Sequence, residues 1–182
     1  MQLILLRHGK AEDSSLDGDF SRTLTRKGHE QSRRAGRLLK AAGCLPDIVL
    51  TSPLIRARQT AEEFCAAAEI PGAIIQGWLT SGFNSETGLS ELAGFQRFKR
   101  VMIVGHEPDF SSLIEFILEA PGGSIQMKKG AIACLQVAPP SRQGTLLYLI
   151  PPKLADEPEE SEVLGSDLRN FQHRRIDELA EF

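Results

Sequence analysis

The chain has 182 residues, 41% of them hydrophobic and 25% charged, with a formal net charge of −3. This is the composition of one globular domain with its own core, and it lacks the basic block of a nucleic-acid binder. Cys44, Cys65 and Cys134 are far apart and odd in number, which argues against a disulfide framework and fits a reducing cytoplasm. The opening MQLILLRHG is too short an apolar run for a secretory leader. No run approaches a membrane span, so no membrane partner is expected.

In chain order, Leu3–Leu6 reads as a buried strand that runs into Arg7-His8-Gly9. Thr25–Ala42 reads as a helix: Thr25 can cap it, Ala35, Leu38, Leu39 and Ala42 give an apolar face, and Gly43 stops it. DIVLTS is a second strand and Pro53–Ala68 a second helix. GAIIQGW is a weaker strand, and the glycine- and serine-rich GWLTSGFNSE with the residues after it reads as a loop. RVMIVG is a clear strand, Pro108–Leu118 a third helix, and GAIACLQV and GTLLYLI are strands with no helix between them. Strands alternating with helices predict a mostly parallel sheet covered on both faces, with an antiparallel portion near its end. Pro53 and Pro108 fall where a first helical residue is expected. Residues 1–152 form the predicted domain. After it, 153–182 read as an acidic linker, DEPEESE, and an amphipathic helix with Leu168, Phe171, Ile176, Leu179 and Phe182 near one face.

Chemistry concentrates where three strands end. LILL leads to Arg7 and His8, DIVL to Thr51-Ser52-Pro53 with Arg56 just inside the next helix, and VMIV to Gly105-His106-Glu107-Pro108. In a parallel sheet these are carboxyl ends, the edge at which ligands bind. Arg7, His8, Arg56 and His106 are then candidates for one pocket. Two guanidiniums offer forked donors to phosphoryl oxygens, and two imidazoles offer a nucleophile and a further donor or cation. No carboxylate is placed to hold a metal. Taken singly, each motif has a plainer account. Arg7 could pair with a surface carboxylate beside a buried histidine, Arg56 could lie on a solvated helix face with Arg58 and Glu62, and His106 could cap a helix. What these plainer accounts leave unexplained is that all three strand ends carry suitable residues together.

LRHG, TSPLIRARQTA and VGHEP, in that order, resemble the histidine phosphatase superfamily, the phosphoglycerate-mutase-like fold. The short chain and SRTLTRKGHEQS resemble its SixA-type phosphohistidine phosphatases most. About fifty residues separate Arg56 from His106, which leaves little room for the cap domain of larger relatives. The resemblance covers roughly residues 1–150. It implies a three-layer α/β/α sandwich with no cap, a phosphohistidine intermediate on His8, and a phosphate pocket of Arg7, His8, Arg56 and His106. It implies neither metal nor other cofactor. The substrate it implies is a phosphohistidine protein, with a histidine phosphotransfer domain or a phosphocarrier as the natural partner.

The general acid is open at this point. Glu107 stands where the acid-phosphatase branch has a donor aspartate, but a first-turn carboxylate facing the helix dipole is an equal account. Glu86 and Glu91 are weaker candidates. Asp13, Ser14 and Ser15 could border the pocket, and Arg22 falls in the matching R-x-L-T-x-x-G stretch; structural roles are expected for these. DGDFS, Asp17–Ser21, superficially matches an aspartate-nucleophile phosphatase, but it follows polar AEDSSL rather than a buried strand and reads as a loop. No phosphate-binding P-loop and no cysteine–arginine phosphatase motif is present. His29 and His173 read as solvated. Two other functions fit the same residues: a phosphatase of small phosphomonoesters, and a non-catalytic phosphate-binding module.

Overall fold

The computed structural model describes residues 1–155. The linker and C-terminal helix expected over 153–182 therefore lie almost wholly outside the described residues. Ten regular elements follow in chain order: β1 (Gln2–Arg7), α1 (Arg26–Ala41), β2 (Ile48–Thr51), α2 (Ile55–Ala68), β3 (Ile74–Ile75), α3 (Ser85–Leu92), β4 (Arg100–Gly105), α4 (Asp109–Leu118), β5 (Ile132–Val137) and β6 (Gly144–Ile150).

The strands form one sheet in the order β3-β2-β4-β1-β5-β6. β1, β2, β3 and β4 pair in parallel, whereas β5 and β6 are antiparallel additions. The central strands are apolar without alternation because both faces are covered: Leu3, Ile4, Leu5 and Leu6 of β1 and Val101, Met102, Ile103 and Val104 of β4 are all fully buried. On one face Ile4, Leu6, Met102 and Val104 meet Ala35 and Leu39 of α1 and Ala57, Ala61 and Phe64 of α2. On the other, Leu3, Leu5, Val101 and Ile103 meet Leu89 and Leu92 of α3 and Phe110, Leu113 and Ile114 of α4. The result is a three-layer α/β/α sandwich. Among the described residues no helix is long and apolar enough to cross a membrane.

Four details differ from the sequence expectation. The stretch after GWLTSGFNSE is not a loop: Asn84 Oδ1 accepts from the Glu86 and Thr87 N–H groups, and the helix it caps buries Leu89 and Leu92. Neither proline is the first helical residue. Ser52 Oγ accepts from the Leu54 N–H, which holds Leu54 extended (ψ 136°) and delays α2 to Ile55, while Pro108 itself is the N-cap of α4. Ala42 is exposed, because α1 ends at Ala41 and buries Gly28, Ser32, Ala35, Gly36 and Leu39 instead. Leu38 is only partly buried.

The connections place the site. β1 and β4 are neighbours in register, with Arg7 opposite Gly105. The chain leaves β1 for α1 on one face and leaves β4 for α4 on the other. Adjacent strands that diverge to opposite faces open a crevice at their carboxyl ends, where ligands of such sheets bind.

Candidate active site

Because Arg7 lies opposite Gly105, the next residues, His8 and His106, face each other across the crevice with ring centroids 5.2 Å apart. β2, on the far side of β4, delivers Ser52, whose N–H donates to the Val104 carbonyl at 3.0 Å and whose hydroxyl meets His106 Nε2 at 2.8 Å. The four candidates share this edge, and three of them reach burial unusual for their type: His8 is 6% exposed, Arg56 5% and His106 2%.

The backbone fixes His8. Its Nδ1 lies 2.8 Å from the Gly9 carbonyl oxygen. A carbonyl only accepts, so Nδ1 carries the proton and Nε2 keeps its lone pair for attack. Gly9 in turn is clamped: its N–H donates to Thr60 Oγ1 at 3.1 Å, and a Cβ on it would stand 2.6 Å from the Gly28 carbonyl oxygen. Gly28 is equally tight, since a Cβ there would run into the Lys10 carbonyl oxygen. The two glycines let the turn after β1 press against the first turn of α1, and this aims the carbonyl that sets the His8 tautomer. Thr60 also donates to the Arg56 carbonyl at 2.7 Å, tying α2 to the same turn.

Burial, with the nearby His106, Arg56 and Arg7 adding to it against the Gly9 hydrogen bond, pushes His8 down to about 3. Burial, followed by the Arg56 charge, pushes His106 down to about 4. Both rings are neutral near neutral pH, and His8 is thus a competent nucleophile rather than a cation. Burial lowers Arg7 from its ordinary value, partly offset by Glu107. The same desolvation raises Glu107, against the pull of the Ser111 hydroxyl, which donates to its Oε2 at 2.6 Å, and of Arg7.

Buried polar atoms without partners are rare in folded proteins and call for a reason. Five side-chain atoms here are buried and find no hydrogen-bond partner among the described residues: Arg7 Nε, Arg56 Nε, His106 Nδ1, Glu107 Oε1 and Trp78 Nε1. Four of them belong to this edge. The two guanidinium nitrogens are obligate donors. His106 Nδ1 is a third donor when Ser52, which accepts from the Leu54 N–H, gives its own proton to His106 Nε2. Three donors and one carboxyl oxygen held in reserve suit an anion with a leaving group to protonate. Nothing in the structure explains the Trp78 atom.

Other sequence candidates sit elsewhere. Glu86 is exposed in a separate recess with Ser112, Glu115 and Arg142, and Glu91 is exposed on the same helix. His29 pairs with Glu63 on the outer side of α1 and α2. Asp13 and Ser14 are exposed and Ser15 partly so. Arg22 has the structural role expected of it, binding the Glu12 carbonyl and the Asp19 carboxylate at 2.7 Å each. Sequence reasoning missed Ser52, Thr60 and Asp19. Ser52 stood in the quoted TSP at a strand end, where a hydroxyl facing the crevice was foreseeable. Asp19, which reaches Arg56, carried no such signal, because DGDFS has the composition of any polar loop.

The profile of the histidine phosphatase superfamily (branch 1) matches residues 3–90, which include Arg7, His8 and Arg56. An uncharacterized protein of Picosynechococcus sp. is 34% identical over 146 residues, spanning 75% of this chain and 85% of that one. The chain belongs to the histidine phosphatase superfamily. Within it, the structure of the protein histidine phosphatase SixA complexed with tungstate aligns over 86% of this chain and 100% of its own, at 28% identity and a TM-score of 0.76, which puts the chain in the SixA-like branch. The fold also matches the α-ribazole phosphatase of Shigella flexneri, at 21% identity, with a TM-score of 0.67 over 84% of this chain and 97% of that one. This histidine phosphatase is accordingly a hydrolase of a superfamily that works through a phosphohistidine intermediate.

Proposed function

We propose that this histidine phosphatase hydrolyses phosphomonoesters by passing the phosphoryl group through His8, with Glu107 as acid and then base. The lone pair on His8 Nε2 attacks phosphorus as the bond to the leaving oxygen breaks, and protonated Glu107 gives that oxygen its proton. Water then attacks the phosphohistidine, Glu107 takes the water's proton, and the P–N bond breaks to restore neutral His8. Arg7, Arg56 and His106 hold the phosphoryl oxygens throughout, since phosphoryl transfer depends on positioning and charge stabilisation. The observation that carries this reading is Glu107. A carboxyl raised by burial, beside Arg7, with one oxygen buried and without a partner among the described residues, is equipped to protonate an alkoxide.

A second reading has its own support. The likeness to SixA and the absence of an inserted cap between α2 and β4 favour a phosphohistidine carried on a protein, such as a histidine phosphotransfer domain or a phosphocarrier. An imidazole leaving group needs less protonation than an alkoxide, so that reaction leans less on Glu107. Phosphate release in EDTA from a phosphomonoester panel and from a phosphohistidine protein separates the readings. Ester hydrolysis that is lost in His8→Ala and falls by about 10²-fold or more in Glu107→Gln supports the first. Selective release from phosphohistidine, unaffected by Glu107→Gln, supports the second.

A further inference from the structure

Arg56 is held from outside the site by the loop between β1 and α1. Its Nη1 donates to the Asp19 main-chain oxygen at 2.7 Å and its Nη2 to Asp19 Oδ2 at 3.0 Å. The Arg56 side chain is 6% exposed and that of Asp19 62%. Asp19 is itself braced, because Arg22 Nη1 donates to its other carboxylate oxygen at 2.7 Å while Arg22 Nε donates to the Glu12 carbonyl at 2.7 Å. The base of the loop is closed by the bridge between Ala11 and Leu24, and the Leu24 N–H donates to Gln59 on α2 at 2.7 Å.

A guanidinium has five N–H groups in one plane. Asp19 takes one from each terminal nitrogen. Nε–H and one N–H on each terminal nitrogen are left, and Nε is among the buried atoms with no partner among the described residues. We propose that Asp19 is the positioning residue for Arg56: it grips the guanidinium so that the Nε–H remains turned to the phosphoryl group, and the strap Glu12–Arg22–Asp19 sets the affinity of the site for a tetrahedral anion. This rests on the reading of the crevice as a phosphate site. Asp19 touches no reacting atom. Its effect runs through Arg56, whose long side chain the ligand would otherwise have to order at its own cost in affinity.

Calorimetric titration of the full chain with tungstate, and with inorganic phosphate, tests this without requiring turnover. Asp19→Ala should raise Kd about ten-fold, and Asp19→Asn, which keeps an oxygen acceptor at the same place, should recover most of that loss. Arg56→Ala should raise Kd more, and adding Asp19→Ala to it should change nothing further, the signature of a residue acting through its partner. Tighter binding by Asp19→Ala would overturn the proposal, because the carboxylate would then be a competitor of the anion. Additive losses in the double variant would overturn it too. If Arg56→Ala leaves Kd unchanged, the phosphate site itself is wrong; if Arg56→Ala weakens binding and Asp19→Ala does not, only the strap is.

Discussion

The carboxyl edge of the sheet and the outer side of α1 and α2 use the same residue types to opposite ends. On the outer side Glu30 accepts from Arg33, Arg34 and Arg37 at 3.0 Å each, and Glu63 takes Arg33 at 3.1 Å and faces His29 at 2.8 Å. These side chains are 27–41% exposed, and water screens what they gain. At the edge, Arg7, Arg56, His106 and Glu107 are partly or fully buried, and each keeps an atom without a partner among the described residues. Residue type does not separate the two regions. The sheet does: strands that diverge to opposite faces leave donors in a desolvated crevice, whereas helix spacing along α1 and the contact of α1 with α2 bring them to carboxylates.

The largest effect that can break this comparison comes from removing an edge cation. Arg7→Ala or Arg56→Ala should lower kcat/KM by about 10²–10³-fold, as loss of a preorganised donor does. Steady-state kinetics on the best substrate of the panel would measure it. A loss below ten-fold would place these arginines with the outer-face pairs. Ser52→Ala should follow, lowering kcat/KM by about 10–100-fold by analogy with the loss of a partner that orients a ligating histidine. Ser52→Thr, which keeps the hydroxyl, should restore part of that activity, and failure of this rescue would point to packing rather than to the hold on His106.

A pH series sharpens the contrast. His8 is held down at about 3 and His106 at about 4, both below the ordinary 6.5. As pH falls below 6.5 the unfolded chain takes up protons that these folded rings refuse. Their contribution to stability is therefore fully present above 6.5 and shrinks as pH falls towards 4 and then 3. Urea midpoints should decline over that window, and the decline should flatten in His8→Asn/His106→Asn. An unchanged slope in the double variant would mean that the rings titrate normally. The smallest effect belongs to the outer face: Glu63→Ala should cost no more than about 1 kcal/mol in urea unfolding and leave kcat/KM unchanged.

Much of the edge was legible in the sequence because three apolar runs each ended in a residue suited to an anion, and a parallel sheet forces such ends together. The quartet Arg7, His8, Arg56 and His106 follows from that. Glu107 could be named but not given a task, since its burial, and an oxygen left without a partner among the described residues, depend on packing. Ser52 was visible in the motif without its bond to His106, which needs the register of β2 against β4. Asp19 was illegible for a stronger reason. Its contact with Arg56 joins a polar loop to a helix across a separation that no periodicity encodes. α3 was misread because glycine and serine suggested a loop, while the Asn84 cap and two buried leucines decided for a helix.

The central claim is that His8 carries the phosphoryl group, and the most direct test is to trap it there. Brief reaction with a radiolabelled substrate, quenched in alkali, should leave an alkali-stable, acid-labile label on the peptide that contains His8, with no label in His8→Ala. Label on another residue, or turnover that persists in His8→Ala, would contradict the account.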